Sequence, residues 1–320
     1  MNKFNFNSLD NLSLHDLESE AEFIPLMTSE DEEALNKEAL PQVVPILPLK
    51  NNVLFPGVVI PITAGRDKSI QLIKDANNSD KVIGVVAQKD KKTENPGLKD
   101  IYSLGTVAQI LRVLKMPDGN TTIIIQGKKR FMIDNIVQEK PYIKAKIKNF
   151  IDEQTDQKNK EFVATIDSIK DMAINIIKEN PNIPSEASFA IKNIQSPTFL
   201  VNFVSSNMNL IVKDKQEILS IQSLKERALL CLKYMNTEYE KLALKNDIQS
   251  RVRNEMDVQQ REYYLHQQMK TIQEELGGVS YEQEVEDMKK RALDKNWKKP
   301  ISNHFEKELL KLQRMNPQVA

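Results

Sequence analysis

The chain holds one cysteine, three histidines and nine glycines in 320 residues. A lone thiol excludes an internal disulfide and fits a reducing cytoplasm. It lies within Ala228-Leu229-Leu230-Cys231-Leu232, so a buried core thiol is expected rather than a reactive one. His15, His266 and His304 are scattered, and no metal site of ordinary ligand spacing can be drawn from them. No G-x-x-x-x-G-K-(S/T), G-x-S-x-G or H-E-x-x-H occurs. The nearest approach to a phosphate loop, Gly127-Lys128-Lys129, lacks the first glycine and the hydroxyl. No stretch approaches the ~18 apolar residues of a membrane span. No basic segment leads into an apolar core of roughly 7–15 residues, so no secretory signal is read. Scarce glycine beside many straight-chain residues favours helix.

What is present begins with an asymmetry hidden under a net charge of zero. Residues 1–40 carry ten acidic and two basic residues, net −8, which leaves +8 for the remainder. This leader has little apolar periodicity and is expected to be disordered, either a regulatory tail or a solvated extension.

Val43 to Pro61 reads VVPILPLKNNVLFPGVVIP, apolar, β-branched and broken by Pro45, Pro48, Pro56 and Pro61. Proline lacks a donor N–H, so these positions do not suit the middle of a central strand. Two short strands with an exposed apolar corner at Val53-Leu54-Phe55-Pro56-Gly57 are expected. Up to residue 150 the chain reads as mostly β. Val82 to Ala87 is a buried-strand run, and Gly105 to Met116 and Thr121 to Gln126 flank a hairpin turn at Pro117-Asp118-Gly119-Asn120. Phe131 to Val137 and Tyr142 to Phe150 supply further strands, and Asp67 to Asn77 one helix. A small, partly open barrel or pair of packed sheets follows.

After Asp152 the period changes. Phe162, Ile166, Ile169, Ala173, Ile176 and Ile177 mark an amphipathic helix ended by Asn180-Pro181. Pro184-Ser185-Glu186, Ser196-Pro197-Thr198 and Asp214-Lys215-Gln216-Glu217 open three more. From Thr198 to Leu276 there is no glycine or proline. The stretch after Ser223 is therefore read as one helix of about fifty residues, roughly 75 Å long. Leu224, Ala228, Leu232, Met235, Tyr239 and Leu242 form a continuous stripe. The phase then slips. Leu244, Ile248, Val258, Leu265, Met269, Ile272 and Leu276 fit a second register, whose remaining seam positions are Arg251, Glu255 and Glu262. So polar a stripe is expected to project and meet solvent or a partner chain. Gly277-Gly278 ends the helix, and residues 281–315 read as a helical pair.

Three stretches together resemble a known family, the ATP-dependent Lon proteases. Leu47-Pro48-Leu49-Lys50, running through Val53-Leu54-Phe55-Pro56 to Pro61, resembles the start of their N-terminal domain. Gln260-Arg261-Glu262-Tyr263-Tyr264-Leu265, running on to Ile272-Gln273-Glu274-Glu275-Leu276-Gly277, resembles their long-helix signature. Glu308-Leu309-Leu310-Lys311-Leu312-Gln313-Arg314-Met315-Asn316-Pro317 resembles the segment before their ATPase module. The chain is expected to be α+β and multidomain: an acidic disordered leader (1–40), a β-rich domain (41–150) that the resemblance makes a PUA-like pseudo-barrel, an α-helical bundle (151–222), one long projecting helix (223–277) and a helical connector (278–320). The resemblance runs over residues 43–317 and does not cover the leader. It implies a cytoplasmic parent that uses ATP and Mg, forms a homohexamer, and unfolds and cleaves misfolded and regulatory proteins with a Ser–Lys dyad. Those motifs lie downstream of Met315 in the family. The chain is therefore expected to be truncated before the ATPase module, with no catalytic, cofactor or metal residue of its own.

The candidate sites follow. For clients that are unfolded or damaged proteins, the candidates are Leu54, Phe55 and Pro56 at the corner and Tyr263, Tyr264, Leu265 and Met269 on the long helix. The opposing reading is that Leu54 and Phe55 plug the barrel and the tyrosines pack on a neighbouring helix. The seam is also expected to support a weak dimer. The alternative function is nucleic-acid binding, with DNA as a possible partner, through Lys128, Lys129, Arg130, Lys144, Lys146 and Lys148. The plainer reading of those lysines is a solvated outer face that discourages edge pairing.

Overall fold

The computed structural model describes Glu32 and residues 38–116, 120–153, 156, 159–275, 281–295 and 297–314. The remaining leader residues, the turn residues 117–119, Gly277-Gly278 and Met315-Asn316-Pro317 lie outside them. Packing divides the chain into two compact units between Leu244 and Lys245.

In the first unit the strands are β1 (Val43–Leu49), β2 (Val59–Ala64), β3 (Val82–Gln88), β4 (Ile101–Lys115), β5 (Thr121–Gln138) and β6 (Lys144–Asn149). Their order is β2-β5-β4-β3-β1-β6, and β5 also pairs with β6. Five strands thus close into a ring, with β2 added outside β5, and this is the pseudo-barrel expected from the resemblance. The segments Thr121 to Gln126 and Phe131 to Val137, expected as separate strands, are one continuous β5.

Strand β1 lies between β3 and β6 although it carries Pro45 and Pro48. The register shows how. The ladder with β6 ends at Pro45, and the ladder with β3 begins at Ile46. The Ile46 N–H donates to the Ile143 carbonyl on the β6 side. Alternate residues point their N–H the same way. The missing donor of Pro48 therefore faces the side where β6 no longer pairs, and that of Pro45 faces β3 before its ladder starts. Pro61 sits in β2, which among the described residues pairs with β5 alone.

Helix α1 (Asp67–Asn77) packs Leu72, Ile73 and Ala76 into the barrel core beside Leu47, Leu54, Ile83, Ile110, Ile123 and Ile125. Gly127, midway along β5, lets the corner after β1 approach closely: a Cβ there would lie 2.2 Å from the Phe55 carbonyl oxygen. Gly57, at φ 80°, turns that corner in a left-handed conformation that glycine adopts without penalty.

The helices of this unit are α2 (Lys160–Glu179), α3 (Ala187–Asn193), α4 (Pro197–Asn207), α5 (Val212–Ser220) and the start of α6 (Leu224–Glu275). The side chain of Asn159 caps α2 by accepting from the Glu161 and Phe162 N–H groups. Ser196 caps α4 through the Phe199 N–H, with Pro197 in the first turn. Phe162, Ile166, Ile169, Phe199, Leu200, Val201, Ala228 and Met235 share one buried cluster with Val53, Phe55, Val58 and Leu104 from the barrel. Barrel and helices are thus joined by a continuous core rather than a linker.

In the second unit, helix α7 (Tyr281–Asp294) and helix α8 (Lys299–Arg314) follow the distal part of α6. Val285 and Leu309 are buried, and the Trp297 ring meets Phe305 edge-on at 5.2 Å. Helix α6 is continuous for 52 residues, through the register slip near Leu242 to Ile248.

Candidate functional site

The corner between β1 and β2 is not exposed. Leu54 is 2% and Phe55 0% accessible, and only Pro56 is half-buried. Neighbouring residues in an extended corner point opposite ways. Leu54 enters the barrel core, while Phe55 belongs to the core shared with the helices. The backbone is held as well: Thr106 Oγ1 donates to the Leu54 carbonyl at 2.6 Å, and Asn202 Nδ2 donates to the Pro56 carbonyl at 3.2 Å. Gln216 Nε2 of α5 donates to the Leu104 carbonyl of β4 at 3.0 Å. An apolar corner covered by apolar helices becomes a joint, so Leu54 and Phe55 are withdrawn from the client surface.

The basic stretch disperses. Arg130 is buried, donates to the Ile221 carbonyl at 2.7 Å and to Asp152, and lies 4.8 Å from the Phe150 ring centre. Burial pushes its pKa down to about 9. Arg227, 0% accessible on α6, donates to the other Asp152 oxygen at 3.0 Å, and burial lowers it to about 10. Asp152 thus ties β5 to α6, and Arg130 is a structural cation rather than a phosphate contact. Lys128 pairs with Glu38 at 2.7 Å. On β6, Ala145 and Ile147 face inward, and Lys146 and Lys148 outward. Lys148 pairs with Asp134 at 2.6 Å, and the Lys144 ammonium lies 5.5 Å from the Tyr142 ring centre. No continuous cationic track results. Cys231 is buried and its thiol is pushed up to about 12 by burial, as a core cysteine should be.

The long helix keeps its apolar groups open. Every α6 residue from Asp247 to Ile272 is exposed. Tyr263 is 67% and Met269 52% accessible. Each residue turns the helix by about 100°. Val258, Leu265, Met269 and Ile272 therefore share one stripe. Ile248, Val252, Met256 and Tyr263 form a second, about half a turn away. Tyr263 does not join Leu265 and Met269, and Tyr264 lies between the two stripes. Val252 and Met256 were missed because a single heptad register passes over them. The signal that would have found them is the i+4 row Leu244, Ile248, Val252, Met256. Among the described residues no cluster of His, Cys, Asp or Glu could hold a metal ion, and no helix is long and apolar enough to cross a membrane.

The fold defined by this closed barrel, its fused helices and the long α6 is that of a Lon N-terminal domain. The N-terminal domain of Mycobacterium avium complex Lon protease superposes with a TM-score of 0.51, at 18% identity, over 61% of this chain and 98% of that chain. That likeness establishes the architecture alone. Sequence carries it further. The family model described as the ATP-dependent protease La (LON) substrate-binding domain matches residues 43–237. A Lon protease of Flavobacterium johnsoniae is 64% identical over 311 residues, 97% of this chain and 38% of that protein. A Lon protease of Cytophaga hutchinsonii is 49% identical over 296 residues, 92% of this chain and 36% of that protein. The chain belongs to the Lon protease family. It spans a little over a third of the length of these two relatives.

Proposed function

We propose that the chain is the substrate-recognition and assembly region of a longer, cytoplasmic, ATP-dependent serine protease. Its clients would be misfolded or damaged proteins, and regulatory proteins that expose apolar segments. The observation that carries this reading is the uncovered, doubly striped length of α6, which follows the segment 43–237 matched by the family model named for substrate binding. An unfolded polypeptide exposes the side chains a folded one buries, and these complement Val258, Leu265, Met269 and Ile272. The contacts are individually weak. Several copies in an oligomeric parent would raise their combined strength without new contacts. The charged neighbours Arg251, Glu255 and Glu262 oppose full burial, so the chain alone should pair only weakly with itself. ATP and Mg would be bound, and peptides cleaved, by modules the family carries beyond this segment. The purified chain should accordingly hydrolyse neither ATP nor peptide, and turnover that survives controls for contamination would contradict the assignment.

Salt separates client capture from nucleic-acid binding. Apolar contact strengthens or holds as salt rises, while phosphate contacts release counterions and weaken steeply. Anisotropy with a labelled, chemically unfolded protein should change less than about twofold between 50 and 200 mM salt, against on the order of a hundredfold or more for a multi-phosphate contact. A steep loss would overturn apolar capture.

A further inference from the structure

One cavity of the barrel is untouched by this reading. It holds about 220 Å³ and lies where the first turn of α1 meets the loop before β4 and the turn between β5 and β6. Its polar wall is the start of α1. The Ile70 N–H is the first in that helix to reach a backbone acceptor, the Arg66 carbonyl at 2.9 Å. Among the described residues nothing accepts from the N–H groups of Asp67, Lys68 and Ser69, and no side chain caps the helix. Ser69 lines the cavity and is only 8% accessible, yet its hydroxyl also has no hydrogen-bond partner among the described residues. A hydroxyl so buried and unpaired calls for a partner oxygen from outside the protein. Arg66, Lys68 and Lys140 line the cavity against one carboxylate, Glu139, and the remaining wall is apolar, with Leu72, Ile136 and Tyr142. These walls are held in place. Gln88, 1% accessible, accepts from Arg66 Nη2 at 3.0 Å and donates to the Asp90 and Thr93 carbonyls at 2.5 and 2.6 Å. The Tyr142 hydroxyl donates to Asp75 at 2.9 Å.

We infer that this cavity binds a carboxylate carrying one short apolar group, the form presented by a free acyl-amino acid or by the last residue of a polypeptide. The three free N–H groups and the Ser69 hydroxyl converge as donors for the carboxylate oxygens, and the positive end of the α1 dipole favours the charge. The apolar group would lie on Leu72 and Ile136. The volume falls below the roughly 300–1,000 Å³ of a pocket for a drug-sized ligand, so it suits a single residue. Charge narrows the head group. Asp67 in the first turn, Glu139, and Glu94, which acts on Arg66, offset much of the three cations. That balance matches a single negative charge better than a phosphate dianion. The argument is independent of the apolar face of α6.

The probe is N-acetyl-leucine, titrated into the intact chain and followed by amide NMR. It should shift the Lys68 and Ser69 N–H resonances with a Kd of about 1 mM or below, and uncharged N-acetyl-leucinamide should bind at least about tenfold more weakly. Ser69→Ala removes one donor at a helical position and should weaken binding about two- to tenfold. Lys68→Glu/Lys140→Glu reverses two exposed charges, leaves the fold intact and should weaken it at least about tenfold. A peptide ending in leucine with its terminal carboxylate free separates the two sources. Tighter binding than N-acetyl-leucine assigns the site to a polypeptide's end, and exclusion of the peptide while the free acid binds assigns it to a small acid. Equal binding of acid and amide overturns the proposal. So does unchanged affinity in both variants, or inorganic phosphate that shifts the same amides at lower concentration than the acid. The readout is confined to α1, so such a failure leaves the reading of α6 standing.

Discussion

Replacing Phe55 with Ala should cost about 3–5 kcal/mol, the usual penalty for deleting a fully buried aromatic ring and leaving a cavity. Against the roughly 5–15 kcal/mol that holds a domain folded, that is a large share. The ring has no accessible surface and belongs to the core shared by Val58 and Leu104 of the barrel and Phe162, Phe199 and Leu200 of the helices. Collapse around the cavity is restricted, because Gly127 already brings β5 against the Phe55 backbone. Urea unfolding followed by circular dichroism should show the midpoint falling sharply, with barrel and helices lost together. At temperatures where the variant stays folded, its affinity for an unfolded client should be unchanged. A variant as stable as the parent that had lost client binding would restore Phe55 to the contact surface.

The second large effect is expected at Asp152. Removing one partner of a buried ion pair costs about 3–5 kcal/mol, since a charge is left buried without compensation. Here one carboxylate serves two guanidiniums, Arg130 and Arg227. The Asp152 side chain is itself 40% accessible, so water screens part of the interaction and Asp152→Ala should cost about 2 kcal/mol. Arg227 has no slack to absorb the loss, because its Nε and Nη1 find no hydrogen-bond partner among the described residues. Replacing all three residues together with apolar ones of similar volume should be close to neutral or stabilising. An Asp152→Ala variant within about 0.5 kcal/mol of the parent would show that the network is incidental.

How much of this was legible beforehand depended on whether the controlling contact was local. The bounds of α1, the Ser196-Pro197 start of α4 and the 52-residue run of α6 rest on short-range rules of turn chemistry and periodicity, and the sequence displays them. The exposed state of Tyr263, Leu265 and Met269 was legible for the same reason, since too few apolar positions surround them to build a core. What was hidden depends on partners distant in the chain. Nothing near Phe55 announces that α4 and α5, about 150 residues on, will share its core, while Leu54 beside it enters the barrel. Arg130 and Arg227 share Asp152, which lies 22 residues from the one and 75 from the other, so Arg130 read as one more surface cation. Gly127 fell between two segments expected as separate strands, whereas it lies within one strand at the place where another backbone comes close. The two-stripe character of distal α6 was missed for a different reason: a single heptad register was imposed on a helix that turns 3.6 residues at a time.

The stripe through Leu265 and Met269 is proposed as a working surface rather than a packing surface. The most direct measurement is the affinity of the intact chain and of its Leu265→Asp/Met269→Asp variant for a labelled unfolded protein, with sedimentation equilibrium run in parallel. Both residues are exposed, so the variant should keep the parent's stability and its circular dichroism spectrum. Two fully buried apolar side chains are together worth about 3–6 kcal/mol, and a shared, partly buried stripe a fraction of that. Client affinity should therefore fall at least tenfold, and the weak self-association at high concentration should disappear. Unchanged client affinity and unchanged association in a folded variant would contradict the account.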